Sequence, residues 1–224
     1  MKELICMIGL SGTGKSTAAK ILSEKYGYEY VTSSDYVKKI KKDIFDLYNY
    51  DFDTNNLIGT ISEYYDAGFN EFMSKIFTNN HCSKIVWDSC VNIHHIEKVL
   101  ACFNKVYFLC MTAPYNTRIS RIKKRGSYPN ETLEKVEERT IKVDEYERML
   151  GLGDLTLLSD WFIDASNLIE LENSIDEFIL KCNPTSVEYK IHHSKNSFNL
   201  PALPQSDLMC FSKYMSSKEG EKWL

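Results

Sequence analysis

No apolar run in the chain reaches the roughly 18 to 20 residues that a membrane-spanning helix needs, so none is expected. Cysteine occurs seven times (Cys6, Cys82, Cys90, Cys102, Cys110, Cys182 and Cys210), yet no two form a C-x-x-C pair. That pair is the usual mark of a zinc or dithiol site, and neither is expected here. Several of these cysteines lie in strand-like apolar runs, where the thiol packs as a small hydrophobe, which fits a reduced, cytoplasmic compartment. A large charge of either sign is also missing: 27 basic against 31 acidic residues give a net charge of −4. This argues against a protein that coats duplex DNA, while leaving a local basic cleft open. There is no internal repeat and no low-complexity tract. Lys2 before an apolar stretch imitates a short leader, but Glu3 comes early and the stretch stops at Gly9, so none is expected. What is present, 43% hydrophobic and 26% charged residues over 224 positions, has the balance of one folded α/β domain with some chain to spare.

Strand and helix patterns alternate along the chain. The run 4–10 reads as a buried strand, and 15–26 carries Ala18, Ala19, Ile21, Leu22 and Tyr26 at helical spacing, with Gly27 as a stop. Strands are expected at 28–32, 84–87, 106–111 and 161–163, and helices at 95–103, 115–125, 131–150 and 171–182. Residues 36–80 look mostly helical, with a polar interruption at 51–56. Strands separated by helices predict a parallel sheet covered on both faces. Beyond residue 183, Pro184, Pro201 and Pro204 punctuate a polar stretch with scattered aromatics, which reads as an extension of unassigned role.

Gly9-Leu10-Ser11-Gly12-Thr13-Gly14-Lys15-Ser16 matches G-x-x-x-x-G-K-[ST] at every fixed position. The glycines let the backbone curl until successive N–H groups point inward at phosphate oxygens. The helix opening at Lys15 adds the positive end of its dipole. In this arrangement Lys15 reaches the β- and γ-phosphates, and the Ser16 hydroxyl is offered to Mg²⁺, so ATP and Mg²⁺ are the expected ligands. Gly9, Ser11, Gly12, Thr13, Gly14, Lys15, Ser16 and Thr17 are the candidate nucleotide-binding residues. The motif follows a strand and opens a helix, the context it requires.

Ligands of an open parallel sheet bind beyond the carboxyl ends of its strands, and two aspartates fall there. Asp88, after the third strand, stands where an acid holds Mg²⁺ directly or through water. Asp35, after the second, either orients the acceptor oxygen or caps the helix opening at Tyr36. Arg118, Arg121 and Arg125 share one face of a basic helix, suited to polyphosphate or to stacking on a base, or else to a solvated surface; Arg121 and Arg125 are the leading candidates. Arg139 and Arg148 follow, and either could neutralise charge during phosphoryl transfer, although surface helices carry many such residues. Lys38-Lys39-Ile40-Lys41-Lys42 reads by default as a solvated helix side. His94-His95 and His192-His193 lack metal-ligand spacing.

Together the loop 9–16, Ser33-Ser34-Asp35, Val86-Trp87-Asp88-Ser89, Arg118 to Gly126, Glu138-Arg139 and Leu158 to Ile163 resemble the nucleoside-monophosphate-kinase-like branch of P-loop proteins. That branch includes adenylate and dephospho-CoA kinases, and small archaeal relatives of the latter are the nearest likeness. The resemblance spans about residues 1–182. It implies a P-loop three-layer sandwich with a five-stranded parallel sheet in the order 2-3-1-4-5. An acceptor-binding helical region is implied at about 36–80 and a lid at about 126–150. It further implies transfer of the γ-phosphoryl group to a small acceptor, a (deoxy)nucleoside monophosphate first. Dephospho-CoA or a hydroxyl on nucleic acid or a modified base is the alternative, and an NTP-binding regulatory module the second. Ser89 and Cys90 stand where the family has Gly after the acid, and Asp164 where Asn ends the last strand; both bear on the acceptor's identity.

Overall fold

The computed structural model describes residues 2–32, 69, 73–74, 83–88, 90, 92–125, 132–185, 187 and 190. Asp35 and most of the region 36–80 lie outside them, as do 126–131 and 191–224. Five strands, β1 (Glu3–Ile8), β2 (Glu29–Thr32), β3 (Lys84–Asp88), β4 (Lys105–Thr112) and β5 (Trp161–Asp164), form one sheet in the order β2-β3-β1-β4-β5, as the resemblance implied. β1 is central and parallel to both neighbours, with Ile5 opposite Val86 on one side and Tyr107 on the other. β4 and β5 are parallel too, Cys110 facing Phe162. β1 ends at Ile8, two residues short of the apolar run, because the chain curls into the phosphate loop at Gly9.

The helices are α1 (Lys15–Tyr26), α2 (Ile96–Leu100), α3 (Tyr115–Lys124), α4 (Leu133–Glu147), α5 (Gly153–Leu157) and α6 (Leu171–Lys181). The period-2 alternation of the strands divides the core. Ile5, Met7, Tyr107, Leu109 and Met111 pack against Ala18, Ala19 and Leu22 of α1 and Leu171, Ile175 and Phe178 of α6. Phe178 meets Tyr107 edge-on at 5.4 Å between ring centroids, and burying a side chain of this size contributes about 1.5–3 kcal/mol. Leu4, Cys6, Ile8, Phe108 and Cys110, pointing the other way, are equally buried, so both faces of the sheet are covered.

The predicted helix 95–103 is a 3-10 turn, Ile93–His95, continued by α2. The predicted helix 131–150 is interrupted. α4 runs into a π-helical segment, Arg148–Leu152, and α5 follows, an element absent from the sequence reading. Gly151 causes the break: its φ is 97°, and a Cβ there would stand 2.5 Å from Cγ2 of Ile93. The 3-10 turn therefore packs hard against the kink.

The described residues beyond 183 join the sheet by a buried knot. Asp160 accepts the Phe108 N–H at 2.7 Å through Oδ2, and the Thr185 N–H and hydroxyl at 2.6 and 2.9 Å through Oδ1. Lys190 Nζ lies 3.0 Å from Asp160 Oδ1, both side chains wholly buried, and 5.2 Å from the Phe108 ring centroid. By its internal contacts the chain divides into two units, one of residues 1–31 and 82–198 and the other of 32–81 and 199–224. The sheet's core and the site described next belong to the first.

Candidate nucleotide site

The loop 9–16 joins the end of the central strand to the start of α1, whose first turn carries no acidic residue to oppose an anion. Gly12 has φ 83°, and a Cβ on it would lie 2.9 Å from the Arg118 carbonyl, so the loop can follow this path against α3 only with glycine. The Thr13 hydroxyl donates to the Leu10 carbonyl at 2.8 Å and tightens the turn. Lys15 is buried and donates from Nζ to the Gly9 and Leu10 carbonyls at 2.5 and 3.0 Å. An ammonium held by loop carbonyls is already placed at the loop, and a third N–H remains to meet phosphate. Ser11 and Ser16 are half-buried and Thr17 is exposed at the helix start.

Ser16 and Asp88 are 72 positions apart in sequence, yet the Ser16 hydroxyl donates to Asp88 Oδ2 at 2.6 Å. The Tyr30 hydroxyl donates to the same oxygen at 3.0 Å. Asp88 is the last residue of β3, buried, and its Oδ1 has no hydrogen-bond partner among the described residues. A buried carboxylate oxygen without a donor is costly unless something fills the role. Together with the adjacent hydroxyl it makes an all-oxygen donor set that fits Mg²⁺.

Two arginines grip the loop's carbonyls. Arg118, buried inside the basic helix rather than on its solvated face, donates through Nε to Ser11 O at 2.8 Å. Its Nη2 binds both oxygens of Asp144 on α4 at 2.6 and 2.7 Å. Arg121 donates to Gly12 O at 3.3 Å and reaches across to Ala165 O at 2.5 Å in the turn after β5. Between α3 and that turn lies an open cavity of about 520 Å³, lined among others by Asn116, Ser120, Arg121, Ser166 and Asn167. Asp164, at the end of β5, is held below the usual carboxylate range by the hydroxyl and N–H of Ser166 and so fixes the turn that forms one wall. Arg125 stands exposed at the end of α3, and Arg139 half-buried on α4.

The sequence reading assigned no role to Asp144 or Glu147. Both are buried on α4, and burial pushes the Glu147 carboxyl up to about 7, the Lys15 ammonium opposing that rise. Their spacing of three, in register with the buried Val136 and Thr140, is the signal that would have turned them inward.

Residues 5–142 match the family model for the AAA domain, AAA_18. The chain belongs to that family, and its fold is that of the kinase-like P-loop proteins. No curated protein matches the sequence. Among solved structures it is similar to TT1252 from Thermus thermophilus, at 14% identity and a TM-score of 0.54, over 80% of this chain and 96% of that one. A candidate kinase from Chloroflexus aurantiacus J-10-fl gives the same identity and score, over 80% and 94%. Deoxyadenosine kinase from M. mycoides, with bound dATP, aligns at 17% identity and a TM-score of 0.47 over 79% and 97%.

Proposed function

We propose that this protein is an ATP-dependent phosphotransferase that moves the γ-phosphoryl group to a small acceptor, a (deoxy)nucleoside monophosphate first. The convergence of Lys15, Ser16 and Asp88 at the mouth of one glycine loop carries the reading, because donor phosphate and its cation need those three groups together. The loop N–H groups, from Gly9 to Thr17, and Lys15 hold the triphosphate. Ser16 and Asp88 hold Mg²⁺, which when bound offsets the charge of the β- and γ-phosphates. Arg121 belongs to the donor side, and the cavity beside it is open enough for a base.

An acceptor oxygen then forms a bond to the γ-phosphorus in line with the departing bridge oxygen, whose bond breaks to release ADP. The chain's contribution is placement and charge, not covalent chemistry. Arg125 and Arg139 are the proposed neutralisers of transferring charge, and Asp35 is proposed to face the acceptor. A monophosphate acceptor attacks through an oxygen already ionised, whereas a hydroxyl acceptor would pass its proton to Asp35. ADP formation with Mg-ATP and a panel of ribo- and deoxynucleoside monophosphates, dephospho-CoA and single-stranded oligonucleotides tests the reading. Turnover stimulated by one monophosphate is the expected result. ATP binding with no stimulation by any acceptor would leave a regulatory module as the better description.

A further inference from the structure

The phosphate loop runs from Gly9, at the end of β1, to the first turn of α1, so the α-phosphate of a triphosphate cradled in it lies beside Gly14 and the helix start. A Cβ built on Gly14 would stand 3.5 Å from Cβ of Ala165, 3.8 Å from Cδ2 of Leu168 and 4.0 Å from Nη1 of Arg121. A nucleoside on that phosphate therefore enters the cavity between α3 and the turn after β5, where Leu168, 45% exposed, offers an apolar wall to a base. To the edge of the base this cavity presents mostly hydrogen-bond donors. The Ala165 and Ser166 carbonyls already accept from Arg121 Nη2, at 2.5 and 3.3 Å. Asn167 accepts the Ile169 N–H through Oδ1 at 3.0 Å, which leaves its amide N–H groups to the cavity. Asp164, at the foot of the turn, accepts the N–H and hydroxyl of Ser166 through Oδ1, and among the described residues no carboxylate lines the cavity. Lys124, exposed on the last turn of α3, brings an ammonium that can only donate. Asn116 and Ser120 can give or accept and so decide nothing.

We propose that the base site of the phosphoryl donor selects a purine with a carbonyl oxygen at C6, so that the protein takes GTP at least as tightly as ATP. The inference rests on the nucleotide reading of the loop and names the base that the site accepts. Guanine offers O6 and N7, two acceptors on one edge, and cationic donors read that pair. Adenine sets N7 beside a 6-amino group, which needs an acceptor. An amide reads adenine through its oxygen and nitrogen together, and Asn167 has committed its oxygen. Against the Lys124 ammonium the 6-amino group meets donor with donor. One well-matched pair of bonds to a base edge is worth at least about fivefold in discrimination.

The test is calorimetric titration of Mg-ATP, Mg-GTP and Mg-ITP, without acceptor, into the full chain and into its Lys124→Met variant. ITP keeps O6 and N7 and lacks the 2-amino group of guanine, so it isolates the edge in question. In wild type, GTP and ITP should bind alike and at least as tightly as ATP. Lys124→Met should lower the affinity for GTP relative to ATP by about fivefold. A wild type that binds ATP more tightly than GTP and ITP overturns the inference alone, as does a GTP-to-ATP ratio that Lys124→Met leaves unmoved. GTP tighter than ATP with ITP weaker would assign the preference to the 2-amino group and overturns it too. Failure of all three nucleotides to bind overturns the nucleotide reading and the inference with it.

Discussion

Lys190→Met replaces a wholly buried ammonium by an apolar chain of similar length and leaves Asp160 charged in the interior. Removing one partner of a buried ion pair typically costs about 3–5 kcal/mol, because the remaining charge is stranded. Asp160 would keep three donors, the N–H groups of Phe108 and Thr185 and the Thr185 hydroxyl, which places the loss near about 3 kcal/mol. In a domain of this size 1 kcal/mol corresponds to about 2–4 °C, so the melting temperature should fall by about 6–12 °C. Thermal melts followed by circular dichroism read this directly. The double variant Asp160→Asn/Lys190→Met removes both charges and should lose less than Lys190→Met alone. A Lys190→Met protein that melts with wild type would refute the claim that this knot fastens the tail to β4. A truncation ahead of Thr185 removes Thr185 and Lys190 and leaves Asp160 behind, so its effect on activity would report stability as well as the tail's role.

Arg118→Ala leaves Asp144 buried without its cation and frees the Ser11 carbonyl. It should cost about 3–5 kcal/mol in urea unfolding and weaken Mg-ATP binding at the same time. Gly151→Ala forces a Cβ to within 2.5 Å of Ile93 at a left-handed φ, and should lower stability by about 1–3 kcal/mol in the same assay. For Glu147 the folded carboxyl titrates at about 7 against an ordinary value of 4.5, so the folded state binds more protons between those limits. Stability from this group is then full below pH 4.5 and falls as pH rises to 7, by about 3 kcal/mol. Glu147→Gln should lack that fall and exceed wild type in urea midpoint above pH 7.

The alternation of strands and helices was legible because its signals are local, while the sheet order came with the family resemblance. A short apolar run ending in a glycine loop, then a helix with an apolar stripe, leaves little choice but a strand feeding a phosphate cradle, and β1, Lys15 and Ser16 follow from it. Asp88 was legible from its place after an apolar strand. What the sequence did not disclose depends on distant partners. Arg118 looked like one of three arginines on a face, and only the packing of α4 shows that Asp144 draws it inside. The break at Gly151 depends on Ile93, 58 positions earlier, so a helical pattern read alone runs straight through it. Lys190 lay in a polar, proline-marked stretch where nothing local predicts a buried ammonium; Asp160 and the Phe108 ring supply the reason. Asp35, placed by its position after the second strand, and the acceptor region at 36–80, implied by the resemblance, are proposals.

The most direct test of the central claim follows label from γ-³²P-ATP to the monophosphate panel with wild type and Lys15→Ala side by side. Among the described residues Lys15 donates to two loop carbonyls alone, so its loss should leave the melting temperature close to wild type while transfer disappears. Label moving to an acceptor with wild type and not with the folded Lys15→Ala protein is the predicted result. Transfer that survives in Lys15→Ala, or a wild type that moves label to no acceptor, would contradict the assignment of this loop as a phosphotransfer site.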